Sequence, residues 1–151
     1  MRHYGHRIRI LHWCTDQRMS DALAQMELTA SQGRIMGYLA HRKTPPCSRD
    51  IEEIFQLTHP TVSGILSRLE KKGFIAFFPD ETDRRCKRIR VLPKGMELTA
   101  LMENTIRDTE RRLVEGFTEQ EQEQFMELLE RAILNMGGGP CHHSPKEGTE
   151  K

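Results

Sequence analysis

A chain of 151 residues with 36% hydrophobic and 30% charged residues is long enough for one compact domain with extensions, and too apolar to be disordered. No apolar run approaches the roughly 20 residues that span a bilayer, and the basic N-terminal stretch is too short and interrupted in its apolar part to be a signal peptide, which points to the cytoplasm. The net charge of +1 is uninformative, but its distribution is not: residues 41–94 hold 12 Lys/Arg against 7 Asp/Glu, whereas residues 95–136 hold 4 against 10. A basic centre beside an acidic helical part is the footprint of a nucleic-acid reader with a separate region. Four scattered cysteines (Cys14, Cys47, Cys86 and Cys141), with no C-x-x-C pair, are expected as free thiols.

Taken in order, the spacing of Ile8, Leu11, Met19, Ala22, Leu23 and Met26 predicts one amphipathic helix from about Arg7 to Gln25. Thr29 is placed to cap a second helix, with Ile35, Met36, Leu39 and Ala40 on its apolar side. Pro45-Pro46 ends that helix. Ser48 is expected to cap a third, running to about Gln56 with Ile51, Ile54 and Phe55 inward and Asp50, Glu52 and Glu53 in its first turns, where the helix dipole favours carboxylates.

The fourth helix is the most telling. From Thr58, its expected cap, to Lys72, it carries one apolar stripe of Val62, Ile65, Leu66 and Leu69 within a sector of roughly 100°. Its other side presents Pro60, Thr61, Ser63, Gly64, Ser67, Arg68 and Lys71: small, hydroxylated or cationic residues that suit a surface approaching phosphates and base edges. A mid-helix glycine costs about 1 kcal/mol relative to alanine and needs a reason such as close approach. Gly73 is the expected stop.

Residues 74–78 and 88–92 read as two strands joined by a polar hairpin, so that the whole is a winged helix-turn-helix. Arg84, Arg85, Lys87, Arg88 and Arg90 crowd cations onto that hairpin, which calls for an anion such as phosphate or the narrow minor groove. Asp83 is expected to pair with Arg85 or Arg88 and hold the loop in shape. Burial and reactivity arguments for the thiols go two ways: Cys14 is expected as an inert core thiol, and Cys86 as an exposed one whose pKa nearby cations would lower. After Pro93-Lys94-Gly95 a long helix is expected from about Met96 to Glu115, with Leu98, Leu101, Met102, Ile106 and Leu113 apolar. Thr118-x-x-Glu121 is a capping box opening a last helix with Phe125, Leu128, Leu129, Ala132, Ile133 and Met136 at 3/4 spacing. Residues 137–151 are expected to be a disordered tail.

The fold class expected is therefore mainly α (α+β): a winged helix-turn-helix over 29–95, flanked by 1–28 and 96–136. The flanking helices bury more than one small domain needs, and a second copy is the simplest partner, giving a two-fold dimer with two reading helices.

The order Leu28-Thr29-x-x-Gln32, then Ser48 to Gly73, then Asp83-x-Arg85-x-x-Arg88, then Leu92-x-x-Gly95, resembles the MarR family of bacterial transcription regulators over roughly residues 8–136. The resemblance implies a dimeric repressor of a pseudo-palindromic operator, released by a small molecule, a metal or oxidation. It makes Arg85 the wing-tip residue in the minor groove, with Asp83 and Arg88 supporting it, and the fourth helix the major-groove reader. DNA contacts are then expected from Ser48, Thr58, His59, Thr61, Ser63, Gly64, Ser67, Arg68, Lys71, Asp83, Arg84, Arg85, Lys87 and Arg88. His59-Pro60 and Pro93 depart from the family's usual pattern. Trp13, Met36 and Met102 are candidates for lining an effector pocket. Cys14 lies where some relatives carry a peroxide-sensing cysteine, making a redox response an alternative. His3, His6, His12, His41 and Cys141-His142-His143 raise a metal response, but zinc-sensing relatives carry a histidine pair in the fifth helix that this chain lacks, and no metal or cofactor is expected. A winged module binding protein rather than DNA is the reading from another class, disfavoured by the cationic face of the fourth helix. No catalytic constellation is readable, so an enzyme is not expected.

Overall fold

The computed structural model describes residues 3–81 and 86–139. The elements follow in the order α1 (Tyr4–Gln25), α2 (Ala30–Ala40), α3 (Ser48–Phe55), α4 (His59–Lys71), β1 (Ile75–Pro79), β2 (Lys87–Val91), α5 (Pro93–Leu113) and α6 (Glu119–Asn135). They form two compact units, Met1–Thr109 and Glu110–Lys151. Among the described residues no helix is long and apolar enough to cross a membrane.

The first unit is the winged helix-turn-helix with α1 and most of α5. Its core gathers Leu23 and Leu28, Ile35, Met36 and Leu39 of α2, Ile51 of α3, Val62, Leu66 and Leu69 of α4, Phe74, Ile75, Ile89 and Leu98. Burying a side chain of this size contributes about 1.5–3 kcal/mol each, so helices too short to persist alone are held by packing. β1 and β2 pair antiparallel, with Ile75 opposite Val91 and Pro79 opposite Lys87. Cys47 adds an isolated antiparallel bridge to Arg88, which ties the entry of α3 to the hairpin.

Local signals set the helix ends. Thr29 and Thr118 each close a capping box, with Gln32 and Glu121 respectively. α4 ends in a Schellman motif: Gly73, at φ +78, donates to Glu70 O, and Phe74 N donates to Leu69 O. α5 begins at Pro93 rather than near Met96, because a proline's missing N–H costs nothing at the first helical position. Gly95 is required by close packing; a Cβ there would lie 2.6 Å from Val91 Cγ1 and collide with the Phe74 carbonyl.

Several inward assignments fail. Ile54, Ile8 and Ile106, at 51%, 56% and 49% exposed, lie outside the core, and Ala40 is exposed. Periodicity identifies the apolar sector of a helix, but α3 meets α4 and β2 along a seam narrower than that sector. The cap of α3 also shifts. Cys47, in extended conformation, holds the cap position, and its N–H donates to Asp50 Oδ2 at 2.7 Å, so Ser48 is the first helical residue.

In the second unit, Gly116 at φ +84 turns the chain between the helices, and Phe117 packs edge-on against Phe125, centroids 5.8 Å apart. No residue of α6 is buried: Met126, Leu128 and Leu134 are all more than half exposed, as is Met136 at its C-terminal cap.

Candidate nucleic-acid interface

α3 and α4 are joined by a tight turn in which Gln56 takes the left-handed conformation, φ 53, and Leu57 N donates to Glu52 O. Leu69, Leu66 and Val62 lock one side of α4 into the core. This leaves His59, Pro60, Thr61, Ser63, Gly64, Ser67, Arg68 and Lys71 exposed on the other. Seven of the residues expected to contact DNA thus share one free face of one helix. A Cβ built on Gly64 meets nothing within 4 Å, so no packing contact of this unit explains the glycine. Glu70, also exposed, sits at the edge of that face and looks toward the wing, where it lines a groove with Phe77 and Phe78.

The start of the helix is organised differently from expectation. Thr58 holds the cap position, yet its hydroxyl lies 2.9 Å from the Thr61 hydroxyl rather than accepting a backbone N–H. His59 Nδ1 lies 2.6 Å from Glu52 Oε1, so a carboxylate of α3 orients the imidazole at the first position of α4. Glu52 is the residue that periodicity missed, since it reads as an ordinary first-turn carboxylate.

In the wing, Lys87 is exposed and Arg88 half-buried. Arg88 Nε pairs with Asp80, which is only 8% exposed, and Arg88 Nη1 donates to the Pro45 carbonyl at 3.2 Å. The hydrogen bond to Asp80 pushes the Arg88 guanidinium's pKa further up, outweighing partial desolvation. One arginine therefore clamps the base of the hairpin to the chain entering α3. Its described carboxylate partner is Asp80, which sequence spacing did not single out; Asp83, Arg84 and Arg85 lie outside the described residues. Cys86 also differs from expectation. It is half-buried, and burial first, then a hydrogen bond with Cys47, push its thiol up rather than down. Ser48, Cys47, Arg49, Glu52 and His59 face Phe77, Phe78, Cys86 and Lys87 across an open groove of about 1030 Å³.

The other candidates do not assemble. Trp13 is 64% exposed on α1, Met36 is fully buried in the core, and Met102 packs against that core. None of the three lines the smaller groove, about 350 Å³, between α1 and α5, which is walled instead by Arg18, Asp21, Gln25, Asn104, Thr105 and Asp108 among others. There Arg18 pairs with Asp108 and donates to Thr109 Oγ1 at 3.0 Å. Cys14, expected in the core, is exposed, because the N-terminal half of α1 projects beyond the winged domain. Among the described residues no three His, Cys, Asp or Glu side chains gather as metal ligands; His142 and His143 lie outside them.

Comparison with known proteins agrees with this architecture. The MarR family model matches residues 28–87. The chain is similar to MepR of Staphylococcus aureus as solved in a MepR–DNA complex, with 30% identity, a TM-score of 0.78, and coverage of 88% of this chain and 99% of that one. A further structure of MepR, a transcription regulator of the multidrug efflux pump MepA of Staphylococcus aureus, matches at 30% identity, TM-score 0.78, over 88% of this chain and 98% of that one. A Clostridium acetobutylicum protein described as a MarR family transcriptional regulator matches at 29% identity, TM-score 0.74, over 88% and 98%. With the helix-turn-helix and the first strand of the hairpin inside the family match, and 30% identity along nearly the whole length of a solved relative, this chain belongs to the MarR family.

Proposed function

We propose that the protein is a sequence-specific, dimeric DNA-binding transcriptional regulator, in which α4 reads the major groove and the wing tip enters the adjacent minor groove. The observation that carries the reading is the free face of α4: hydroxyls, two cations and a glycine with open space above it, held outward by a core-locked stripe. Arg68 and Lys71 would contact phosphate, Ser63, Ser67 and Thr61 would approach base edges, and Gly64 would let the backbone come close. Arg84 and Arg85 would supply the wing contact, and Arg88, clamped by Asp80, would set the angle of the hairpin. The DNA-bound form of MepR supports this use of the fold.

The dimer rests on α6, whose apolar side chains are exposed in the single chain. Exposed apolar side chains of this kind suit an association site, and a symmetric partner would cover them together with the helices over 1–28 and 96–136. Repression relieved by a small-molecule effector is the regulatory mode that fits the family.

The test is selection of binding duplexes from a random library, followed by titration of the chosen duplex at several salt concentrations. A pseudo-palindromic site bound with an affinity that falls steeply with salt is expected. Arg85→Ala is expected to weaken binding severely; undiminished affinity in that variant removes the wing from the interface. Absence of any salt-sensitive DNA binding would overturn the reading in favour of a protein-binding module.

A further inference from the structure

Cys47 and Cys86 are 39 residues apart in the chain but meet at the junction of the helix-turn-helix and the wing. The bridge between Cys47 and Arg88, with Ile89 N donating to Pro46 O at 2.9 Å, lays the entry of α3 along β2 as a short extra strand. Side chains alternate along a strand, so Cys86 shares the face of Arg88 and is the diagonal neighbour of Cys47. Both cysteines are half-buried and line the same open groove beneath the wing, where a small oxidant can reach them.

We propose that Cys47 and Cys86 form a reversible intramolecular disulfide on exposure to a hydroperoxide, and that this bond alters the grip of the wing on DNA. Cys47 is oxidised first: its sulfur attacks a peroxide oxygen, the S–O bond forms as O–O breaks, and the thiol proton leaves with the departing oxygen as water or an alcohol. Cys86 then attacks the sulfenic sulfur of Cys47. The S–S bond forms, the S–O bond breaks, and the Cys86 proton departs with hydroxide as water. The two thiols lose two electrons and the peroxide gains them. To bond, the two sulfurs must close to about 2.05 Å. That contraction draws the first residue before α3 toward the hairpin, against the clamp that Arg88 makes with Asp80 and Pro45 O. The DNA consequence rests on the proposed function; the disulfide itself does not.

The experiment uses the full chain carrying Cys14→Ser and Cys141→Ser, oxidised with hydrogen peroxide. Trypsin should release residues 44–49 joined to residues 86–87. The linked peptide should vanish on treatment with dithiothreitol and be absent from Cys47→Ser and Cys86→Ser. Oxidation should lower affinity for the selected duplex about tenfold, the loss of one good base contact per site, and reduction should restore it. Sulfinic acid at either cysteine without the linked peptide, or a bond between two chains, overturns the proposal. A linked peptide with unchanged affinity overturns its regulatory half. If the reduced protein binds no duplex, the DNA reading fails, while the peptide still decides the disulfide.

Discussion

Replacing Gly64 with alanine separates the energy of the fold from that of the interface. A Cβ at this position has nothing within 4 Å, and the residue is exposed in the middle of α4. Inside the protein the added methyl therefore meets no obstacle, and the helix gains the propensity difference of about 1 kcal/mol. For a chain of this length that raises the thermal midpoint by about 2–4 °C. In the proposed complex with DNA the same methyl would occupy the line of closest approach. It would hold the backbone off the bases and lose at least one base-edge contact of about 1–3 kcal/mol, a fall in affinity of about 5- to 150-fold. Differential scanning fluorimetry and fluorescence anisotropy on the selected duplex, at one salt concentration, read the two effects separately. A variant that is more stable and binds DNA as tightly as the parent would refute the assignment of this face to the interface. A variant that melts lower would refute the claim that nothing in the protein needs the glycine.

The opposite outcome is expected at Gly95, where a Cβ would strike the Phe74 carbonyl and Val91; Gly95→Ala should destabilise by about 1–3 kcal/mol or more in urea unfolding. Lys71→Ala should reduce the slope of log affinity against log salt by about one per protomer with little change in sequence preference, as expected of a phosphate contact. Asp80→Asn removes the carboxylate that clamps Arg88 and should cost several-fold in affinity for DNA, measured by anisotropy, while the circular dichroism of the helices is unchanged. Glu121 accepts the Thr118 backbone N–H and then its hydroxyl, which hold its carboxyl below the ordinary 4.5. Its folded value is depressed, so the capping stabilisation is fully present above pH 4.5 and is lost as pH falls through the lower value; an NMR titration showing Glu121 at or above its ordinary value would contradict this. Leu128→Glu places a charge on the apolar face of α6 and should shift the protein toward monomer in sedimentation equilibrium.

Much of this was legible because it is local. The Thr29 cap, the Thr118–Glu121 capping box, the Pro60 start and Gly73 stop of α4, and its four-residue apolar stripe depend on neighbours within a turn or two, and each appears where spacing placed it. The free face of α4 follows from the stripe: once Val62, Leu66 and Leu69 are buried, the hydroxyls and cations have nowhere to go but outward.

What spacing could not supply are contacts that join distant segments. Asp80 and Arg88 are eight residues apart across a hairpin, and the Pro45 carbonyl that completes the clamp comes from before α3; no periodicity connects the three. Glu52 reads as a dipole-favoured carboxylate until α4 folds back and brings His59 to 2.6 Å. Cys86 looked exposed and acidified because the charges beside it in sequence are cations, whereas the group beside it in space is Cys47. From its sequence alone this chain was determined to be a set of amphipathic helices around a helix-turn-helix with a charged hairpin, since burial of an apolar stripe is decided within each element. Only the tertiary structure decided which carboxylate holds which cation and which thiols meet, because electrostatic and hydrogen-bond partners are chosen by distance in space.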